Sequence, residues 1–394
     1  MAINYIDEME VKDKKVFIRA DFNVPIDKEG NITDDIRVRS TLPTINAVLE
    51  RGGSVILASH LGRPKGKVDK KYSLRPVAKR LSELLDKEVL FVEECVGKEV
   101  EEKAQRLKPG GVMLLENLRF HPEEEKNDEG FAQQLASLAD IYIDDAFAVS
   151  HRAHASVEAI TRFATVSGAG FLIKNEITYF DKAMGNPEHP LVAIVGGAKV
   201  SGKLEVLENL IQKVDKILIG GGMAFTFLKA RGIEVGKSLV ENDLLGTAGE
   251  VMEKAEKKGV EIVLPVDCLV AERADADADY RTARIEEIPA DWMGLDIGEQ
   301  TLGLFKEALK EVKTIVWNGP MGVFEIEQFS KGTYGVIDLV ADSSALSIVG
   351  GGDTDVALHR SGKSDKISYI STAGGAFLEL LKGGTLPGIR ALEH

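Results

Sequence analysis

A short β-branched run that breaks on a glycine pair and resumes at helical spacing is the feature that most narrows the folds open to this chain. Val192-Ala193-Ile194-Val195 ends on Gly196-Gly197, after which Leu204, Val206, Leu207, Leu210 and Ile211 recur three and four residues apart. That pattern predicts a strand, a tight turn and a helix. The helix start faces the turn, with Lys199 and Lys203 beside it. Unpaired backbone N–H groups, the positive end of the helix dipole and two ammonium groups suit a polyanion. Gly197 to Lys203 also spells the G-x-x-x-x-G-K of a Walker A loop, but residue 204 is Leu where that loop carries a Ser or Thr for Mg²⁺. A magnesium ligand must then come from elsewhere in the chain.

The same alternation runs through both halves. In the first, strands are predicted at Lys15 to Ala20, Ser54 to Ala58, Val89 to Phe91, Val112 to Leu115 and Ile141 to Ile143. Helical spacing covers Ile36 to Leu49, Leu74 to Leu85 and Phe131 to Leu138. In the second, strands are predicted at Leu191 to Val195, Lys216 to Ile219, Val260 to Leu264, Thr314 to Trp317, Leu346 to Val349 and Ile367 to Ile370. Strands alternating with helices imply parallel sheets covered on both faces, and 394 residues suit two such domains. A helical pattern from Phe171 to Met184, stopped by Gly185-Asn186-Pro187, reads as a connection between them. The expected fold is therefore α/β, with two Rossmann-like domains joined by a long helix. The expected divisions are residues 1–170, a linking helix over 171–186, residues 187–372, and a closing segment 373–394. Ala271 to Asp279 is expected to be an exposed loop.

Polar clusters follow the strands, at the edge where open α/β sheets bind ligands. In the first half these include Asp21, Asn23, His60, Arg63, Arg119, Asp144 and Asp145. Arg19, Arg37, Arg63, Arg119 and Arg152, with His60, His151 and His154, form a local excess of cations in a chain whose net charge is −14. Guanidinium forks match phosphate and carboxylate, so this half predicts a pocket for a small, multiply anionic substrate. His151 and His154, three apart, lack a third clustered metal ligand. The overall acidity argues against nucleic-acid or membrane partners. No apolar run is long enough to span a bilayer and no signal peptide is evident, so a cytoplasmic location is expected. Cys95 and Cys268, far apart in sequence and outside any C-x-x-C, read as reduced structural thiols.

In the second half, Gly350-Gly351-Gly352-Asp353-Thr354 follows a strand and opens a helix. Its amides can face a phosphate while Asp353 holds Mg²⁺. Gly220-Gly221-Gly222 and Asn318-Gly319-Pro320 let backbone lie flat against a base or ribose, with Glu325 in reach of sugar hydroxyls. No Ser/His/Asp set, carboxylate dyad or zinc cluster stands out. Phosphoryl transfer between oxyanions needs no general base, only positioning and cations. An anion pocket in one domain and nucleotide loops in the other describe a kinase that closes to exclude water.

Read together, Arg19-Ala20-Asp21-Phe22-Asn23-Val24-Pro25, Ser59-His60-Leu61-Gly62-Arg63-Pro64, Leu118-Arg119-Phe120-His121, His151-Arg152-Ala153-His154, Gly196-Gly197-Ala198-Lys199, Gly220-Gly221-Gly222-Met223-Ala224-Phe225, Trp317-Asn318-Gly319-Pro320 and Gly350-Gly351-Gly352-Asp353-Thr354 resemble the motifs of the phosphoglycerate kinase family, nearly end to end. The resemblance implies glycolytic phosphoryl transfer from 1,3-bisphosphoglycerate to ADP, giving 3-phosphoglycerate and Mg·ATP, by a monomer. It implies that Asp21, Asn23, Arg37, His60, Arg63, Arg119 and Arg152 bind the glycerate, and that Arg37 and Lys199 are the cations nearest the moving phosphoryl. Lys203, Glu325 and Gly351 to Thr354 would hold the nucleotide, with Asp353 placing the metal. A non-catalytic nucleotide-binding scaffold of the same fold is an alternative; a dinucleotide-dependent dehydrogenase lacks the G-x-G-x-x-G it needs. Ala373 and Phe377 stand where the family pattern has Gly and Ser, exchanges that restrict the backbone and remove a capping hydroxyl and so bear on domain closure. Leu392-Glu393-His394 is compatible with an appended tail.

Overall fold

The computed structural model describes residues 3–393, so His394 lies outside the described residues. Contacts divide the chain into two compact units, residues 1–177 with 385–394, and residues 178–384.

In the first unit the strands are β1 (Lys15–Arg19), β2 (Ser54–Ala58), β3 (Val89–Val92), β4 (Val112–Leu115), β5 (Ile141–Asp144) and β6 (Ser167–Ala169). They form one parallel sheet in the order β3-β4-β2-β1-β5-β6. Val55, Ile56 and Leu57 of β2 are all fully buried, because a parallel strand is covered by helices on both faces and reads as a continuous apolar run. The chain moves to one side of β1 through β2 and to the other through β5. The crevice at the carboxyl end of β1 is therefore the switch point, where such sheets take ligands. Leu392 is fully buried and Glu393 bridges to Ile3, so these two residues take part in the unit's packing.

In the second unit β7 (Leu191–Val195), β8 (Lys216–Ile219), β9 (Glu261–Val263), β10 (Asp267–Ala271), β11 (Tyr280–Arg284), β12 (Met293–Ile297), β13 (Thr314–Asn318), β14 (Leu346–Gly350) and β15 (Tyr369–Ile370) make two sheets. Six are parallel, ordered β15-β14-β13-β7-β8-β9, with the switch between β7 and β13. The other three form a small antiparallel sheet, β11-β10-β12, which periodicity does not reveal because β11 is exposed at four of its five positions. The loop between β10 and β11 contains the Asp-rich stretch, exposed from Glu272 to Asp277, whereas Ala271 ends β10 and Ala278 is buried.

The linking helix runs from Phe171 to Phe180 and continues as a π-helical turn over Asp181–Gly185. Its start is held by Asp145, whose Oδ1 accepts from Leu172 N at 2.9 Å, and by Thr44 Oγ1, which accepts from Phe171 N at 3.0 Å. Locally, both Ala373 and Phe377 are accommodated in the second unit. Ala373 caps the helix Gly374–Leu381 at φ −127°, a conformation open to any L residue. Phe377 sits a full turn inside that helix rather than at its cap, is 1% exposed, and meets Phe180 edge-on with centroids 6.2 Å apart. A Cβ on Gly350 would fall 2.3 Å from the Phe377 ring, so Gly350 makes room for it. Burying that ring contributes roughly 1.5–3 kcal/mol.

Candidate active site

The first unit gathers its charges at the carboxyl ends of β1, β2, β4 and β5. Arg37 lies in the first turn of the helix Ile36–Glu50, where the dipole disfavours a cation. Asp21 offsets this: Arg37 Nη1 donates to Asp21 Oδ2 at 2.7 Å. The other Asp21 oxygen accepts from Asn23 N at 3.1 Å and lies 3.9 Å from His60 Nδ1. Asn23 Oδ1 in turn accepts from Gly62 N at 2.8 Å, which fixes the loop carrying His60 and Arg63. Arg119, only 5% exposed, donates from Nη1 to Gly62 O at 2.9 Å and pairs with Glu125 at 3.5 Å. Arg63 is exposed, and Arg152 is half-buried with its Nε 3.1 Å from His151 Nε2.

Arg19 departs from the expectation that it faces a ligand at the strand edge. It belongs to β1 itself and is fully buried, donating to Ser156 Oγ at 2.8 Å and to Ala20 O. Its Nη2 lies 3.4 Å from His60 Nδ1 and 3.9 Å from Glu124 Oε1. It supports the basin from beneath. Burial, then the guanidiniums of Arg19 and Arg119, pushes His60 well below the usual imidazole range and His154 down to about 3. Burial and neighbouring Arg19 bring Arg119 down to about 10. Both histidines are therefore neutral at pH 7.

The second unit brings together the ends of β7, β13 and β14. Lys203 Nζ donates to Asn318 Oδ1, and Asn318 Nδ2 donates to Gly350 O at 2.8 Å. Thr354 Oγ1 accepts from Gly319 N at 2.9 Å, pinning the 351–354 loop to the 318–320 loop. Burial presses Lys203 down to about 8, against the pull of Asp353. Lys199, Gly352, Asp353 and Glu325 are exposed. Gly351, at φ +112°, caps the helix Gly352–Ser361, a conformation costly for any side chain with a Cβ.

Beside these groups is a slot of 310 Å³ whose lining includes Gly197, Gly221, Gly222, Gly294, Pro320, Leu239, Phe225, Met293, Glu325 and Asp353. A Cβ on Gly220 would fall 2.5 Å from Met321 Sδ, and one on Gly221 2.6 Å from Gly197 O. Flat glycine backbone between apolar side chains, with carboxylates at the rim, matches a planar base and its sugar. The two clusters differ in kind: arginines around buried histidines in one unit, an apolar slot beside lysines and helix-start amides in the other.

The family model described as phosphoglycerate kinase matches residues 6–384. The chain belongs to the phosphoglycerate kinase family. It is 63% identical to the phosphoglycerate kinase of Geobacter metallireducens and 61% to that of Geotalea uraniireducens, in each case over all of this chain and 99% of the relative. Among solved structures, phosphoglycerate kinase from Coxiella burnetii superposes with TM-score 0.91 at 43% identity, covering 99% of this chain and 98% of that one. That from Pyrococcus horikoshii gives 0.84 at 34%, covering 98% and 97%.

In this phosphoglycerate kinase family member, two supporting groups escape sequence reading. Glu124 is fully buried and accepts from Ser156 N and Oγ at 2.9 and 2.6 Å, which orients the segment that carries Arg152 and His154. Asp296, buried against the slot, accepts from Gly332 N at 2.7 Å and Ile297 N at 3.0 Å. Burial raises it to about 7. Both are acids in unremarkable local sequence; what marks them is their burial and the donors that Ser156 and Gly332 bring from distant segments. A glutamate followed some 30 residues later by His-x-Ser carries no periodic signal.

Proposed function

We infer that this chain catalyses the phosphoglycerate kinase reaction, reversible transfer of a phosphoryl group from 1,3-bisphosphoglycerate to ADP in glycolysis. The observation that carries the reading is electrostatic. Arg37 and Arg119 gather beside His60 at the carboxyl ends of β1, β2 and β4, and burial first, then the guanidinium of Arg19, keeps His60 and His154 neutral and lowers Arg119, so the basin concentrates positive charge inside an acidic protein. Such a basin suits a substrate with phosphate and carboxylate ends. On this reading Asp21 sets Arg37, and Asn23, His60, Arg63, Arg119 and Arg152 bind the glycerate. Arg37 and Lys199 meet the charge that spreads over the transferring phosphoryl oxygens.

Lys203 and the amides of Gly351, Gly352, Asp353 and Thr354 take the nucleotide phosphates. Gly220, Gly221, Asn318 and Pro320 shape the base slot, and Glu325 takes the ribose. Asp353 is an exposed carboxylate in the first turn of its helix, a hard oxygen donor of the kind Mg²⁺ accepts beside phosphates. Bound there with the nucleotide, Mg²⁺ offsets phosphate charge. Transfer requires the two ligands to meet, and domain closure is the motion we assign to that step. The acidic surface suits a monomer working in the cytoplasm, and no helix among the described residues is long and apolar enough to cross a membrane.

A coupled assay with 3-phosphoglycerate and Mg·ATP tests the activity. Turnover by the folded protein is the expected result, and ADP binding without turnover would instead favour the scaffold reading. Asp353→Asn is expected to raise the Mg²⁺ concentration for half-maximal rate about tenfold while moving the KM for 3-phosphoglycerate less than twofold, since one carboxylate charge acting on a partly hydrated cation is worth about 1–2 kcal/mol. Equal losses on both measures would make Asp353 structural.

A further inference from the structure

A second cluster in the first unit has chemistry that the phosphoryl transfer does not use. Glu94 and Cys95, in the loop after β3, meet His121, which follows the turn after β4. A carboxylate oxygen, the thiol sulfur and an imidazole nitrogen lie within 4.8 Å of one another. His121 Nε2 is 2.6 Å from Glu94 Oε1, and Cys95 Sγ donates to Glu116 O at 3.0 Å. His121 lies 26 positions after Cys95, which is why neither cysteine reads as part of a Cys/His cluster.

The arrangement is pre-positioned. The His121 ring stacks on Phe131 with centroids 4.9 Å apart and planes 29° apart, and Glu94 Oε1 accepts from Cys95 N at 2.8 Å. The nearby Glu116 carboxylate is taken by Ser73 Oγ and Leu74 N at 2.7 and 2.8 Å, so it does not compete. Glu94, Cys95 and His121 all line a groove of 1260 Å³ that contains none of the residues assigned above to glycerate.

We propose that Glu94, Cys95 and His121 form a binding site for a divalent transition-metal ion of the zinc class, with its fourth position open to the groove. One sulfur, one imidazole nitrogen and one carboxylate oxygen are the donors Zn²⁺ and Co²⁺ take, whereas Mg²⁺ prefers oxygen alone. Bond lengths of about 2.0–2.3 Å place ligands of a tetrahedral ion about 3.3–3.8 Å apart, so shifts of about 1 Å in three side chains suffice. On binding, the His121–Glu94 contact opens, Cys95 releases its proton to solvent and the sulfur leaves Glu116 O for the metal.

The test is titration of the chelator-treated full chain with Co²⁺. The expected result is one equivalent bound with a cobalt–thiolate charge-transfer band, displaced by Zn²⁺. Cys95→Ser abolishes the band, which separates this thiol from Cys268. Because Cys95 is fully buried, His121→Gln and Glu94→Gln are the deciding variants if Cys95→Ser fails to fold. Each weakens Co²⁺ by at least about tenfold, and Glu94→Gln keeps parental turnover. Absence of a thiolate band at saturating Co²⁺, or a band of unchanged affinity in both glutamine variants, overturns the site.

Discussion

Arg37→Ala is expected to lower kcat by about 10²–10³-fold while shifting thermal unfolding by no more than a few degrees. The two halves of that result have different physical sources. Arg37 is partly exposed at a helix start, so its contribution to the core is small. Its bond to Asp21 is a charge-assisted contact at the surface of the basin, with the arginine side chain 37% exposed, and such pairs contribute about 1 kcal/mol or less. Asp21 does not become orphaned when the guanidinium goes, because Asn23 N still donates to it. Relief of the unfavourable helix-dipole placement also offsets part of the loss. The rate is another matter. A cation that meets charge developing on the transferring phosphoryl contributes in the transition state and little in the ground state, so its removal appears in kcat rather than KM. Steady-state kinetics with 3-phosphoglycerate and Mg·ATP, paired with a melting curve, separates the two. A rate within threefold of the parent would remove Arg37 from the chemistry, and parallel collapse of Tm and rate would make it structural.

What the sequence disclosed about this chain follows from where periodicity carries the signal. Parallel strands buried on both faces are continuous apolar runs, and β1, β2, β4, β7, β8, β13 and β14 match their predictions to within a residue or two. Candidate ligand residues that follow those strands directly, such as His60 after β2 and Asn318 at the end of β13, are placed as soon as the strand is placed. The rest depends on tertiary contact. Arg19 and Arg119 look alike in sequence, yet the alternation of β1 turns Arg19 beneath the basin, onto Ser156. The mostly exposed β11 carries no apolar period. Phe377 reads as a lost helix cap until Gly350 and Phe180 are seen to form its pocket, and Cys95 reads as solitary until the sheet brings His121 beside it.

Lys203→Met is expected to weaken ADP binding about 10²-fold while holding or raising stability at neutral pH. Lys203 Nζ faces Asn318 Oδ1 in a site that burial makes hostile to charge. In the proposed role a nucleotide phosphate repays that burial, and losing a hydrogen bond between a cation and an anion costs about 1.5–3 kcal/mol. Without ligand the balance reverses. The folded-state value of about 8 lies below the unfolded lysine value of about 10.4, a difference of about 3 kcal/mol against the charged native form. The sign follows from proton counting. Between about pH 8 and 10.4 the unfolded chain holds a proton that the native chain has released, so this group makes stability rise with pH across that window, and its full penalty applies below it. Met removes the penalty but leaves Asn318 Oδ1 without its donor, a loss of about 1 kcal/mol. The net is a gain of about 1–2 kcal/mol at pH 7 that vanishes by about pH 10. Denaturant unfolding at pH 7 and pH 10, with ADP binding by calorimetry, reads both terms. A native phosphate lysine must be hard to charge when empty and easy when occupied. Parental ADP affinity in the variant, or a loss of stability that is equal at both pH values, would contradict that.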